Sequence, residues 1–175
     1  KSVAKILCAN RAEEIIFLRG ATEAINLVAQ GYARPRLVSG DEVLITEMEH
    51  HSNIVPWQLV CEQTGASLKV AKVNDDGSLN MESFAELLTE DTAIAAFAHV
   101  SNAIGTINPI KEMCALAKGV GAITVVDGAQ AVGHLQVDVS DVNCDFYAIS
   151  GHKMFGPTGI GCLYGKYDVL NEMEP

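Results

Sequence analysis

Five short clusters in the chain hold side chains able to do chemistry, and each follows an apolar run. They are Arg19-Gly20-Ala21-Thr22, Glu47-Met48-Glu49-His50-His51, His99-Val100-Ser101-Asn102, Asp127-Gly128-Ala129-Gln130 and Ser150-Gly151-His152-Lys153. Lys153 lies just past a buried-type strand and before Met154-Phe155-Gly156-Pro157. A lysine held in an apolar pocket has a depressed pKa and forms Schiff bases, whereas a solvated loop lysine does not. Asp127 ends the run Ala122-Ile123-Thr124-Val125-Val126. Its carboxylate is therefore expected to be partly buried and to need a partner: a protonated heterocyclic nitrogen, an arginine or a helix N-terminus. Gln130 reaches the same ligand if that turn is helical. Gly20-Ala21-Thr22 joins a strand to a helix, where free N–H groups bind phosphate or merely cap the helix. His50 and His51 are adjacent and no third ligand stands at metal spacing, so no metal site is expected. A stacking or acid–base role for one of them competes with an ordinary surface histidine.

The elements that must position these clusters follow from hydrophobic spacing. Apolar runs predict strands at Ile15–Leu18, Val43–Thr46, Leu68–Val73, Ala93–Ala98, Ala122–Val126, Asp145–Ile149 and Gly159–Tyr164, the first of them buried. Helical spacing predicts helices after Thr22, through Trp57 and Val60 to Gly65, from Met81 to Leu88, and from Ile110 through Ala117. Ser52 or Asn53 is the expected cap of the second helix, and Asn108 before Pro109 that of the fourth. Strands that alternate with helices and are apolar on both faces predict a single α/β domain, with a mostly parallel sheet and helices on both faces. In such sheets ligands bind outside the carboxyl ends of the strands, where all five clusters stand.

The chain has 175 residues, with 12 basic and 22 acidic side chains and a formal net charge of −10. That balance argues against nucleic acid as the partner. No apolar run is long enough to cross a membrane. The cysteines at 8, 61, 114, 144 and 162 form no C-x-x-C pair and read as reduced, mostly buried thiols in a cytoplasmic setting. A Schiff-base lysine, a carboxylate for a pyridinium nitrogen, an anion site and an imidazole able to stack on a ring together suit pyridoxal 5'-phosphate.

The segment from Ser150 to Gly161 resembles the lysine motif of the cysteine desulfurases, class V aminotransferases within fold type I of the pyridoxal-phosphate enzymes. Val126-Asp127-Gly128-Ala129-Gln130-Ala131 is similar to their aspartate motif, and His99-Val100-Ser101-Asn102 and Gly105-Thr106 also match. Met48 to Trp57 resembles the branch of sulfur-mobilisation desulfurases and selenocysteine lyase-like enzymes. The resemblance implies that Lys153 attaches the cofactor and moves protons, Asp127 bonds the pyridine nitrogen and Gln130 the ring's phenolic oxygen. It further implies that His50 stacks on the ring and assists acid–base steps, that Thr22, Ser150 and His152 hold the phosphate, and that Asn102 lies near the substrate carboxylate. Ala21 stands where relatives often have threonine; the missing hydroxyl costs about 1 kcal/mol of phosphate binding, with a backbone N–H remaining. The implied reaction converts L-cysteine to L-alanine and leaves the sulfur as a persulfide on an enzyme cysteine, for iron–sulfur cluster or other sulfur-cofactor assembly through a sulfur-acceptor protein. Selenocysteine is the alternative substrate, and another class V aminotransferase-type activity or a non-catalytic cofactor-binding module the alternative functions. A nucleotide-binding domain ranks last, because neither G-x-G-x-x-G nor a Walker lysine motif is present. Family members are longer, so residues 1–175 are expected to be part of the large cofactor domain without the small C-terminal domain that carries the persulfide cysteine and a substrate-binding arginine. A homodimer and a cytoplasmic location, with an organelle such as the plastid as alternative, complete these expectations.

Overall fold

The computed structural model describes residues 2–173. Seven strands form one sheet: β1 (Ile15–Leu18), β2 (Glu42–Thr46), β3 (Ser67–Ala71), β4 (Thr92–Ala98), β5 (Ile123–Asp127), β6 (Phe146–Ser150) and β7 (Gly161–Gly165). Their order is β1-β7-β6-β5-β4-β2-β3. The pairs from β3 through β6 are parallel, and β7 runs antiparallel to both β6 and β1. Among the described residues seven α-helices accompany the sheet: α1 (Ser2–Ile6), α2 (Ala21–Leu27), α3 (Val55–Thr64), α4 (Met81–Leu87), α5 (Ile110–Gly119), α6 (Val139–Val142) and α7 (Tyr167–Asn171). No helix among the described residues is long and apolar enough to cross a membrane.

Alternation along the strands divides the core in two. Val43, Ile45, Ile94, Ala96, Val125 and Ala148 pack on α2, its π-helical continuation and α3. Leu44, Ala95, Phe97, Val126, Tyr147 and Ile149 pack on α4 and α5 on the other face. The central strands are thus apolar on both sides because each side meets helices. Four cysteines are buried in this core, Cys8 is half-buried, and all five are free.

Several local expectations need correction. Ile15–Leu18 is an edge strand, and Phe17 is 61% exposed. Asn108 does not cap α5: Pro109 occupies the cap position, and the Asn108 amide instead donates to the carbonyl of Ala98 at 2.8 Å. Neither Ser52 nor Asn53 caps α3; a short 3-10 turn, His51–Asn53, precedes that helix, and Asn53 turns its side chain inward. The helix does stop at Gly65, which takes the left-handed conformation. The short helices α1, α6 and α7 carry too few residues to show a hydrophobic period.

Backbones approach most closely where β6, β7 and the start of α2 meet. A Cβ on Gly161 would lie 2.4 Å from the Ile149 carbonyl oxygen and 2.6 Å from the Gly20 Cα, both backbone atoms that cannot yield cheaply. Gly161→Ala is therefore expected to destabilise the chain by about 1–3 kcal/mol, read as a lower urea midpoint with an unchanged slope. An unaltered midpoint would contradict this packing.

Candidate active site

The register sets the site. Ala98, Asp127 and Ala148 are level across β4, β5 and β6, so the residues that follow them leave the sheet at one edge. Glu49 and His50 follow β2, and Ser150 ends β6 beside Gly161 and the start of α2. All five polar clusters follow strand ends at this edge, as the topology requires.

Asp127 is 7% exposed. Its Oδ1 accepts the Ala129 N–H at 2.9 Å, and its second oxygen takes no hydrogen bond among the described residues. Burial pushes the carboxyl above its usual range, while the Ala129 N–H and the nearby Lys153 and His50 side chains act the other way. The last two groups therefore lie within electrostatic reach of Asp127. Gln130 is half-buried on the turn that follows, where the Ala131 N–H returns to the Gly128 carbonyl. Gly128 is required for sterics: a Cβ would sit 1.9 Å from the Tyr147 ring. Tyr147 in turn bonds Nδ1 of His99 at 2.7 Å. Burial lowers His99 to about 4, so this imidazole is neutral.

Lys153 lies on a 3-10 turn, Gly151–Met154, and is half-buried, neither enclosed in an apolar pocket nor fully solvated. It makes no ion pair among the described residues. The opposite edge of the sheet behaves differently. There the buried Asp145 accepts both the N–H and the hydroxyl of Thr124 at 2.9 Å, and pairs with Lys118 at 3.2 Å and Lys166 at 3.1 Å. One buried carboxylate is fully partnered by protein, the other is not.

A cleft of about 460 Å³ lies over the start of α2, lined by Gly20, Thr22, Asn26, Ser150 and His152, with Arg19 and Glu23 at its rim. Arg19 is bound to Glu23 at 2.7 Å. The Ala21 N–H, expected to remain available, donates to Ser150 Oγ at 2.9 Å. That bond leaves the Ser150 hydroxyl proton to donate outward, beside the Thr22 and His152 side chains and the other free N–H groups of the first turn. Ala21 itself is buried and presents no side chain to the cleft. A second cleft, about 340 Å³, brings His50, His51 and Asn102 together with Glu49 and Ile104. His50 Nδ1 is held by the Ser52 hydroxyl at 2.8 Å and the Ser52 N–H at 3.2 Å, so its ring orientation is fixed locally. These residues suit pyridoxal phosphate: an acceptor oxygen for a ring proton, an amine, a hydroxyl-lined anion cradle and an imidazole share one edge.

Burial pushes the thiols of Cys61, Cys114, Cys144 and Cys162 up, Cys114 and Cys162 to about 12, so none of these four is a thiolate near neutrality. Two features escape sequence reasoning. One is the His99–Tyr147 pair, whose members lie far apart in the chain. The other is Glu49, with its partners Asn53 and Trp57 at successive four-residue steps. Polar residues on the stripe of a buried tryptophan were the available signal.

The Aminotransferase class-V family model matches residues 1–175. A cysteine desulfurase of Pectobacterium carotovorum is 51% identical over 175 residues, which are 100% of this chain and 43% of that protein. The crystal structure of the cysteine desulfurase CsdA from Escherichia coli matches with a TM-score of 0.96 at 43% identity, covering 99% of this chain and 43% of that one. A mutant of C-DES with glycine covalently linked to its PLP cofactor matches with a TM-score of 0.88 at 27% identity, covering 99% and 46%. The chain thus spans less than half the length of these relatives.

Two buried groups give opposite pH dependences of stability. His99 falls to about 4, so between pH 4 and 6.5 the unfolded chain binds more protons and this group adds stability as pH rises. Glu49 rises from 4.5 to about 7, so between those values the folded chain binds more and this group removes stability as pH rises. Glu49→Gln is expected to steepen the loss of stability on acidification from pH 6.5 to 4.5, and His99→Asn to weaken it. The change in slope approaches about 1.4 kcal/mol per pH unit in each case. Urea unfolding across that range measures both; parallel profiles for wild type and variants would refute the assignment.

Proposed function

The chain belongs to the class V aminotransferase family, and on that premise we propose that residues 1–175 form the cofactor-binding part of a pyridoxal-phosphate-dependent cysteine desulfurase. The observation that carries this reading is Asp127: a buried carboxylate with one N–H on one oxygen, no bond on the other among the described residues, and the Lys153 and His50 side chains within electrostatic reach. A protonated ring nitrogen is a donor of the kind such an oxygen accepts. Pyridoxal phosphate, when bound, supplies an aldehyde that captures an amino group and a ring that takes up electron density. The remaining work belongs to the chain. Asp127 holds the proton on the ring nitrogen through its charge, and Gln130 bonds the ring's phenolic oxygen. Thr22, the Ser150 hydroxyl, His152 and the turn at Ala21 hold the phosphate. His50, fixed by Ser52, covers the ring and assists proton movement. Lys153 forms the covalent attachment and moves the proton at the substrate Cα. Asn102, in the cleft with His50, lies toward the substrate carboxylate.

In this reading the substrate is L-cysteine, the product L-alanine, and the sulfur leaves as a persulfide on a protein cysteine other than the four buried thiols. A second copy of the chain and a sulfur-acceptor protein of iron–sulfur or other sulfur-cofactor assembly are its partners, in the cytoplasm.

Lys153→Ala is expected to carry no pyridoxyl group after pyridoxal phosphate and borohydride treatment, read as intact mass. A variant with the wild-type adduct on another residue would overturn the assignment. Asp127→Asn is expected to retain cofactor but to lose turnover of cysteine to alanine on the order of 10²-fold. Wild-type turnover would remove its role.

A further inference from the structure

Glu49 is buried where three elements meet, and its carboxylate bonds each of them. Oε1 accepts the Thr46 hydroxyl of β2 at 2.5 Å and the Ala98 N–H of β4 at 3.0 Å. Oε2 accepts the Asn53 amide at 2.7 Å. The orientation of that amide is not free, because Asn53 Oδ1 accepts the indole N–H of Trp57 on α3 at 2.9 Å. An indole nitrogen only donates, so Oδ1 must face Trp57 and the amino group must face Glu49. Glu49 must then accept on both oxygens, as a carboxylate does. Thr46, Asn53 and Trp57 are all fully buried, so water cannot replace any of these bonds.

We infer that Glu49 is the positioning residue of this site: it ties the ends of β2 and β4, through Asn53 on the 3-10 turn, to Trp57 of α3, and so fixes His50, the next residue in the chain, at the sheet edge where Asp127 ends β5. The groups around it agree with that role. Thr46 from β2, Ala98 from β4, Asn53 from the 3-10 turn and Trp57 from the first turn of α3 are neutral donors, and His50 is engaged by Ser52. Asp127, at the end of β5, is the charged group whose field reaches Glu49. Burial first, and then that like charge, raise Glu49 to about 7 against the pull of the three donors. The network therefore tightens or loosens within the neutral range. The inference uses the cofactor reading only where cofactor binding is measured.

The donor pattern supplies the test. In Glu49→Gln the new amino group faces that of Asn53, two donors against each other. Asn53→Asp alone sets two carboxylates against each other. The double variant E49Q/N53D gives every donor an acceptor again and keeps the buried charge, moved by one side chain. The measurements are Trp57 emission against pH and the affinity for pyridoxal phosphate, both in the native full-length protein, with Trp57→Phe subtracted to isolate the emission. Wild-type emission is expected to change with a midpoint near pH 7, and Glu49→Gln to abolish that change and weaken cofactor binding roughly 10-fold or more. E49Q/N53D is expected to recover affinity to within about threefold of wild type, which neither single variant does. A wild-type emission that is flat between pH 6 and 8, or a double variant as defective as Glu49→Gln, overturns the inference. If Glu49→Gln does not fold, a folded double variant with recovered affinity supports the inference and an unfolded one overturns it. If the wild type takes up no cofactor, the functional reading fails separately, and the Trp57 response still decides the network: a response absent from Glu49→Gln supports it, and no response overturns it.

Discussion

The site depends on parallel pairing of β4, β5 and β6 in a register that sets Ala98, Asp127 and Ala148 level. Parallel strands point all their carboxyl ends one way, so residues separated by dozens of positions leave the sheet together. Helices on both faces are a condition of this arrangement, since the central strands are apolar on each side. The antiparallel β7 adds to it by bringing Gly161 against Ser150 and Gly20, which places the Ser150 hydroxyl on the Ala21 N–H. The cleft over the start of α2 is therefore shaped by a strand that lends it no lining residue.

The two buried aspartates are partnered very differently in one fold. Asp145, at the amino edge, has two lysines and two Thr124 donors; it clasps the starts of β5 and β6 and leaves nothing over for a ligand. Asp127, at the carboxyl edge, has one N–H and a raised pKa. A buried carboxylate with so few donors is costly to ionise, and the cost falls when a cationic ligand arrives.

Glu49 and His99 extend the same logic one layer inward. Each is a titratable group enclosed by named partners, Thr46, Ala98 and Asn53 for one and Tyr147 for the other. Tyr147 lies beneath Gly128, so the chain beside Asp127 rests on an aromatic ring where no Cβ can enter. Glu49 anchors the segment that carries His50. The more exposed side chains at this edge are thus held by more deeply buried groups, and rigid support of this kind makes a binding geometry reproducible.

The sequence by itself determined the alternating elements and the edge at which the polar clusters, with Asp127, Lys153 and His50 among them, collect, because hydrophobic period and position after a strand are local signals. Motif resemblance added the cofactor. Only the tertiary structure decided how the donors are spent. Asn108 bonds the Ala98 carbonyl rather than capping α5, Asn53 faces inward to Glu49 and Trp57, and the Ala21 N–H goes to Ser150. It also decided that Ile15–Leu18 is an edge strand and that Lys153 is half-buried. Each of these outcomes turns on a partner distant in the chain or on the neighbour a strand acquires in the sheet. A residue's local pattern says that it needs a hydrogen bond; only packing says which atom supplies it.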